Sequence, residues 1–491
     1  MSALGLTMFI AALALIVATG LPVYAVLLGV SSAFAVIGTS LGAFDWALLT
    51  ALPSRLVGLL EHDLLQALPL YAFIGALLNR LPLATLLHRG GEHIFAHALP
   101  HNGASAELAA LGVGALLAPM NGSVGASLHT LSRSVAPALA ASGTTPARTT
   151  ATICVASTLG IVIPPSLVLL LLGDAMMRAH TEAVNVTHAA VRIVNTQDVM
   201  RAALLPGAAV LLLAWALVAW RGRRNPPPRR SVAALSRAQA LTAASTAVVI
   251  FALLAAVAVG WLYAVEAAAT GGVLLLAGSA SARQLHRTLL RQVLHDTLLL
   301  TGLLFALLLG ATTFSLLLRA YGTDALVATV LQAHAGAPTL LLAGVLLGLV
   351  ACSFVLDALE MIFLVIPLVM PPLLAVVPDP AWVAALTLLV LQAGFLLPPF
   401  GYAVVMGRAI AARASQQGAV ALSALTRALA PHLLLQGLLI VAVLLWPQTT
   451  RWLRPADASV PAASADESNR LMQEAFDAQN VDAAASAAAG R

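Results

Sequence analysis

Long apolar runs separated by short polar segments fill most of this chain. Many of them have about the 17–25 residues that a helix needs to cross a bilayer. They predict membrane-spanning helices near residues 2–19, 21–40, 64–80, 202–220, 238–260, 293–318, 338–356, 359–377 and 421–446.

Other apolar runs contain small or helix-breaking residues near their middle. They are 106–141 with MNGSVGAS, 149–177 with Pro164–Pro165, and 382–413 with Pro398–Pro399; the run 264–281 is short and contains glycine. Non-helical backbone is tolerated at membrane depth only inside the protein or along a cavity, so these interruptions predict discontinuous elements. We therefore expect an all-α polytopic fold of roughly a dozen membrane elements.

Three stretches look extramembrane. Residues 41–63 read as an interfacial amphipathic helix with Trp46 and Arg55 near the headgroups. RGRRNPPPRR at 221–230 carries five arginines and three prolines, which predicts a cytoplasmic loop. The tail from about residue 452 has few large apolar residues and is predicted to be disordered.

Composition excludes a water-soluble protein. The 491 residues are 60% hydrophobic and 9% charged, against about 25% charged in a soluble domain. The net charge of +5 is a topology signal and not a nucleic-acid footprint. Cys154 and Cys352 lie in apolar segments and indicate neither a disulfide nor a thiolate metal site. The N-terminus has no basic n-region and reads as a first membrane segment.

The two halves of the chain share their interruptions. Gly160 and Gly394 each stand four positions before a Pro-Pro pair. Asn121-Gly122-Ser123 precedes the first pair by about as much as Ser353 and Asp357 precede the second, and Gly75 and Gly310 form a third match. Matched breaks predict an internally repeated transporter with its site at the repeat interface. The predicted divisions are an N-terminal scaffold and arm at 1–63, a first repeat at 64–220, a basic loop at 221–237, scaffold helices and an arm at 238–292, a second repeat at 293–413, a last membrane helix at 414–450 and a tail at 451–491.

Each interruption has a plainer alternative. A broken helix exposes carbonyls and N–H groups that suit ions and carboxylates, but a Pro-Pro pair can also be a structural kink. MNGSVGASLHT fits the tip of a re-entrant hairpin or an ordinary loop between two helices. Asp357 and Glu360 share one helical face; they are functional intramembrane carboxylates, a helix cap, or both. Glu266 likewise is either a functional carboxylate or a first-turn carboxylate of a closely packed Ala/Gly helix.

The histidine spacing and the absence of enzyme motifs limit the possible chemistry of the chain. His93, His97 and His101 recur at helical spacing beside Glu92, which is part of a metal-site pattern, but a solvated or interfacial face explains them better. The sequence has no P-loop, nucleophile elbow or HExxH motif. We therefore expect no enzyme activity, and an ion gradient as the energy source.

Several stretches resemble the large membrane (permease, DctM-type) subunit of tripartite ATP-independent periplasmic (TRAP) transporters, in the branch labelled mannitol/chloroaromatic. They are FDWALLTALPSRL, LPLYAFIGALL, ATICVASTLGIVIPPSLVLLLLGDAM, LYAVEAAATGG, FVLDALEMIFLVIPLVMPPLL and LQAGFLLPPFGYAVVMGRA, which together run from about residue 44 to 408.

The resemblance implies an elevator-type fold of the ion transporter superfamily, with a scaffold and a moving part that carries two hairpins. It implies import of a small organic acid across the bacterial inner membrane by sodium symport, with no cofactor other than sodium as coupling ion. The implied partners are a small membrane subunit (DctQ-type), a periplasmic substrate-binding protein (DctP-type) and the lipid bilayer. A stand-alone carrier of organic anions and a non-transporting scaffold remain alternatives.

The implied substrate and ion site lies at the hairpin tips and Pro-Pro breaks. Sodium would be held mainly by backbone carbonyls near Gly122, Gly160, Ser353 and Gly394. The full set of predicted site residues is Asn121, Gly122, Ser123, Gly125, Ser127, Ser157, Thr158, Gly160, Pro164, Pro165, Ser353, Asp357, Gln392, Gly394, Pro398, Pro399 and Gly401.

The second break departs from the family pattern. Val390 and Leu397 stand where the family usually has Asn and Thr, and Gln392 remains. His129 and Arg133 after the first tip are also unusual. We therefore expect a second site built mainly from backbone oxygens.

Overall fold

The computed structural model describes residues 2–60, 63–187, 194–224, 235–414 and 420–453. Within those ranges the chain is helical, without strands. Nine of the described helices are long and apolar enough to cross a membrane, or up to ten if a bent pair counts as one span. The prediction of an all-α polytopic membrane protein is confirmed.

The helices follow the apolar runs closely. Those of the first half are α1 (Ser2–Thr19), α2 (Val23–Ser40), α3 (Leu52–Leu60), α4 (Asp63–Arg80), α5 (Leu83–Ala98), α6 (Ser105–Leu117), α7 (Val124–Ser134), α8 (Ala136–Ala141), α9 (Pro146–Val162), α10 (Leu167–Thr187) and α11 (Thr196–Arg224). Those of the second half are α12 (Arg237–Val259), α13 (Ala264–Ser281), α14 (Arg287–Ala320), α15 (Thr323–Ala333), α16 (Pro338–Cys352), α17 (Ala358–Glu360), α18 (Ile366–Val376), α19 (Pro380–Leu396), α20 (Tyr402–Ala414), α21 (Leu422–Leu445) and α22 (Gln448–Arg451).

Some elements differ from the sequence prediction. Helices α5 and α15 were not predicted, and α5 follows α4 at a bend of 69°. His93 and His97 lie on α5, but His101 comes after its end, so the three histidines do not share one helical face. Helix α11 continues through Arg224, so the predicted basic loop starts later; residues 225–234 of that loop and residues 454–491 of the predicted tail lie outside the described residues.

Two helical hairpins pack in a reciprocal way on two broken helices, α9–α10 and α19–α20, whose two parts are called half-helices. The first hairpin is formed by α6 and α7, and the second by α16 and α18. Helix α6 packs on α9 and α7 on α20, whereas α16 packs on α19 and α18 on α10. Each hairpin thus contacts the first part of the broken helix from its own repeat, which is α9 or α19. It also contacts the second part of the broken helix from the other repeat, which is α20 or α10. This exchange is what two inverted repeats produce.

The two hairpins and the two broken helices together form the hairpin group. A separate set of helices packs beside this group. The frame helices α1, α2, α4, α12, α13 and α14 are centred on the packing of α4 against α14. Helix α13 packs on α4, and α2 packs on α14 in the corresponding way. Arg80 on α4 forms a 2.7 Å ion pair with Asp296 on α14. Helices α5 and α15 connect the frame to the first and second hairpins.

The first half-helices lie at the centre of the molecule. Every residue of α9 from Thr149 to Val162 is buried, and α19 is buried from Pro380 to Gln392. These buried stretches carry no charged side chain on any face, which is typical of helices surrounded by other helices. Small residues allow the close packing: a Cβ on Gly114 of α6 would lie 2.5 Å from the Ala156 carbonyl oxygen.

Candidate functional site

The first hairpin reverses direction at a tight tip between α6 and α7. Gly122 has a φ of +74°, a backbone conformation that favours glycine. Ser123 then caps α7, since its Oγ accepts a hydrogen bond from the Ala126 N–H at 3.1 Å. The predicted tip therefore forms between two helices, inside the protein.

Asn121 is held at this tip with one acceptor atom left over. Its Nδ2 donates to Ser127 Oγ at 3.2 Å, and Ser127 Oγ donates to the Ser123 carbonyl at 3.0 Å. The side chain is 3% exposed. Its buried Oδ1 has no hydrogen-bond partner among the described residues. An unpaired buried acceptor is uncommon in proteins and indicates a place where a water, an ion or a ligand binds.

The first break separates α9 from α10 at residues 163–166, and the Pro164–Pro165 bond is cis. Gly160 lies against the tip, because a Cβ there would be 2.5 Å from the Ala118 carbonyl oxygen. A cavity of about 10 Å³ remains between the tip, Gly160 and Ser157. That volume accommodates about one water-sized particle.

The second tip carries two carboxylates in a capping arrangement. An oxygen of Asp357 accepts from the Ala358 N–H at 2.7 Å, and Glu360 Oε2 accepts from the Asp357 N–H at 2.8 Å. Both side chains are half-buried. The capping interpretation of these residues is therefore confirmed, and the helix start fixes both carboxylates in place.

The second break separates α19 from α20 at residues 397–401, and the Pro398–Pro399 bond is also cis. Gly394 lies against Ser353 of the second tip, as Gly160 lies against the first. A Cβ on Gly401 would lie 2.5 Å from the Phe395 carbonyl oxygen and 2.8 Å from those of Gly394 and Leu397. Three backbone oxygens thus converge at this break.

Both tips open on one central cavity of about 620 Å³. The frame closes its other side with the turn between α1 and α2 and with the middle of α14. Its lining includes Tyr24, Asn121, Gly122, Ser123, Leu167, Leu300, Leu307, Asp357, Glu360 and Tyr402. Leu167 and Tyr402 are the first residues of α10 and α20, so both second half-helices begin at this cavity.

Comparison with known proteins shows the family to which this chain belongs. The family described as "Tripartite ATP-independent periplasmic transporter, DctM component" matches residues 10–449. The chain belongs to the DctM family. Curated protein sequences give no match. Among solved structures, the YdaH transporter of Alcanivorax borkumensis, reported to have an unusual topology, superposes with a TM-score of 0.55 at 16% identity, over 83% of this chain and 90% of that one. That likeness shows the fold alone.

The structure of this DctM chain brings most of the predicted site residues to the tips and breaks. Asn121, Gly122, Ser123 and Asp357 line the central cavity, and Ser157 and Gly160 line the small one. The others lie next to these: Gly125, Ser127, Pro164, Pro165, Ser353, Gly394, Pro398, Pro399 and Gly401. Thr158, one residue from Ser157, donates its hydroxyl to the Val155 carbonyl at 2.9 Å.

Gln392 is the exception. It points to α21, where its Oε1 accepts from Gln436 Nε2 at 3.0 Å, and it lines a separate cavity of about 20 Å³. The structure therefore does not bring Gln392 to the second tip. The third glycine match also differs, because Gly75 contacts Asn121 whereas Gly310 contacts Tyr24 on α2.

Tyr402 is a site residue that the sequence analysis of this DctM chain missed. Its ring lies 5.9 Å from that of Phe395, and its hydroxyl approaches Gly125 of the first tip. It thus links the second break to the first hairpin. Its place directly after PPFG, at the start of a half-helix, is the sequence signal that was available.

A second cavity, of about 380 Å³, lies between the hairpin group and the frame. Glu182 on α10 pairs with Arg319 on α14 at 3.0 Å across it, and Asp174 pairs with Arg178 within α10 at 3.0 Å. Arg55 also lines this cavity. The first of these pairs joins the hairpin group to the frame.

Proposed function

We propose that this chain is the permease subunit of a binding-protein-dependent secondary transporter that imports a small organic acid by sodium symport across a bacterial inner membrane. The observation that carries the proposal is the central cavity, where both hairpin tips and the starts of α10 and α20 meet. Binding sites of repeat-built transporters lie at such interfaces of broken helices.

The two half-helix starts favour a carboxylate. The N-terminus of a helix carries about half a positive charge, and its first N–H groups have no partner within the helix. Helices α10 and α20 direct these ends at the same cavity from Leu167 and Tyr402. An organic acid bound there is stabilised by two helix ends.

Two places suit the coupling ion. The cavity of about 10 Å³ at the first tip is lined by Gly122, Ser123, Ser157 and Gly160 and has room for one small particle. At the second break the carbonyls of Gly394, Phe395 and Leu397 converge on Gly401. Carbonyl groups at the C-terminal end of a half-helix coordinate sodium in secondary transporters, and Gly394 and Phe395 belong to the last turn of α19. A sodium site at the second break would then be coordinated by backbone oxygens, without the side-chain oxygens that Val390 and Leu397 lack.

Alternating access would come from an elevator movement of the hairpin group along the frame. The few polar links between them support this, because the ion pair of Glu182 with Arg319 is about 40% exposed on each side chain. Exposed pairs contribute only about 0–1 kcal/mol. Breaking this contact therefore adds little to the cost of movement.

The test is uptake into proteoliposomes that contain this chain and the small membrane subunit, with the periplasmic binding protein outside. The proposal expects accumulation only when sodium is higher outside and the binding protein is present. Equal accumulation without a sodium gradient would show that sodium is not the coupling ion. Equal uptake by this chain alone would show a stand-alone carrier.

A further inference from the structure

The polar side chains that line the central cavity are those of Tyr24, Asn121, Ser123, Asp357, Glu360 and Tyr402. The sequence contains no lysine. Among the described residues, no arginine or histidine lines the central cavity either. Asp357 and Glu360 are the charged residues of its lining. A cargo with only negative charge would meet two carboxylates here without a cationic side chain to offset them.

The capping bonds of the two carboxylates leave their charge available. Each accepts one backbone N–H, and each has further acceptor positions. Neither forms an ion pair with a described basic residue within 4.0 Å. Carboxylates are costly at membrane depth, and they usually face a cavity and pair with a partner.

Asn121 on the opposite tip provides an independent observation. Its Oδ1 is buried, has no partner among the described residues and belongs to a side chain that lines the same cavity. A buried oxygen of this kind favours a ligand that donates hydrogen bonds. Side chains that carry acceptors therefore line the cavity from both tips, while the starts of α10 and α20 supply the positive potential.

We infer that the cargo is a zwitterion, with an ammonium group recognised by Asp357 and Glu360 and a carboxylate recognised at the starts of α10 and α20. This rests on the proposed function and narrows its substrate class from organic acids to amino acids or similar compounds. The ammonium donates hydrogen bonds to acceptors of both tips, and its charge offsets one of the two negative charges of Asp357 and Glu360.

Three ligands of similar size test the inference: β-alanine, which is a zwitterion, propionate, which is an anion, and propylamine, which is a cation. Their affinities are measured from the thermal unfolding midpoint of the full chain in lipid nanodiscs at fixed sodium, because a ligand of the folded state raises that midpoint. The test variant is D357N/E360Q. Asn and Gln keep both capping bonds and remove both charges.

The matched control is E266Q. Glu266 occupies the same cap position on α13, where its Oε2 accepts from the Tyr263 N–H at 2.9 Å, and it does not line the central cavity. The control makes the same Glu→Gln change as E360Q in the same kind of cap. Any general effect of replacing a capping glutamate therefore appears in both variants.

We expect wild type and E266Q to bind β-alanine about tenfold more tightly than propionate, the ratio that one charge-assisted hydrogen bond provides. In D357N/E360Q the ratio falls to about one. Equal binding of propionate by wild type would overturn the inference and leave organic-acid transport standing. A preference that survives in D357N/E360Q would also overturn it, as would the absence of any shift with all three ligands. Loss of sodium-driven uptake is a different result, and it would refute the proposed function.

Discussion

Replacement of Gly160 by alanine tests how closely the first tip must lie against the broken helix. A Cβ there would be 2.5 Å from the Ala118 carbonyl oxygen and 2.6 Å from its carbon. Both are backbone atoms, so no side-chain rotation relieves the contact. The ordinary contact range begins at 3.4 Å, so the tip must retreat by 3.4 − 2.5 = 0.9 Å.

The size of the effect follows from two opposed terms. Overpacking in a dense interior costs about 1–3 kcal/mol. Alanine within a helix recovers about 1 kcal/mol relative to glycine. The variant G160A should therefore be destabilised by about 0–2 kcal/mol. The larger consequence is for sodium, because a retreat of 0.9 Å changes a cavity of only about 10 Å³.

Two measurements check this prediction: the thermal unfolding midpoint, and the sodium concentration that gives half-maximal uptake. We expect G160A to need about tenfold more sodium, which corresponds to about 1.4 kcal/mol of lost binding free energy. The control is G344A on α16, where a Cβ meets nothing within 4 Å. G344A should keep or raise the midpoint and leave the sodium requirement unchanged. Wild-type sodium dependence in G160A would refute the role given to this contact.

Three further predictions concern contacts around the site. E182Q should change the free energy of unfolding by only about 0–1 kcal/mol and the uptake rate by less than about tenfold, because Glu182 and Arg319 form an exposed ion pair between the hairpin group and the frame. A larger loss of uptake that the charge-swapped variant E182R/R319E restores would show that breaking this pair is costly during transport, and it would contradict the account. E107Q should lower the unfolding midpoint, because Glu107 is 7% exposed and pairs with Arg148 at 2.7 Å. The expected loss of unfolding free energy is about 1–3 kcal/mol, and an unchanged midpoint would contradict this. W382F should lower the free energy of unfolding by about 1–3 kcal/mol, because the buried Trp382 indole N–H donates to a backbone carbonyl of α21 at 2.9 Å. The thermal unfolding midpoint of the variant is compared with that of wild type, and equal midpoints would show that this hydrogen bond does not stabilise the fold.

The apolar runs predicted the spanning helices well because lipid and protein interior both demand continuous apolar sequence. The sequence did not predict helix α5, because its leucines are interspersed with arginine, histidine and a Gly-Gly pair. The helix is stabilised by packing on α6 and α12. Its stability comes from contacts distant in sequence, which no local pattern reveals.

Site residues could be predicted where helix-breaking or polar residues interrupt apolar sequence. Asn121-Gly122-Ser123 and the two Pro-Pro pairs interrupt apolar sequence, so their position at tips and breaks could be inferred. The direction of Gln392 could not, because α19 is apolar on nearly all sides and its sequence gives no sign of which face meets the second tip. Gln392 meets Gln436 instead.

The claim that the cargo binds between the two tips is tested most directly by a cryo-electron microscopy structure with sodium and the compound carried by the cognate binding protein. The account predicts ligand density in the central cavity, within hydrogen-bond distance of Asn121 and of Asp357 or Glu360. Ligand density in the cavity lined by Arg55 and Arg178, with the central cavity empty, would contradict it.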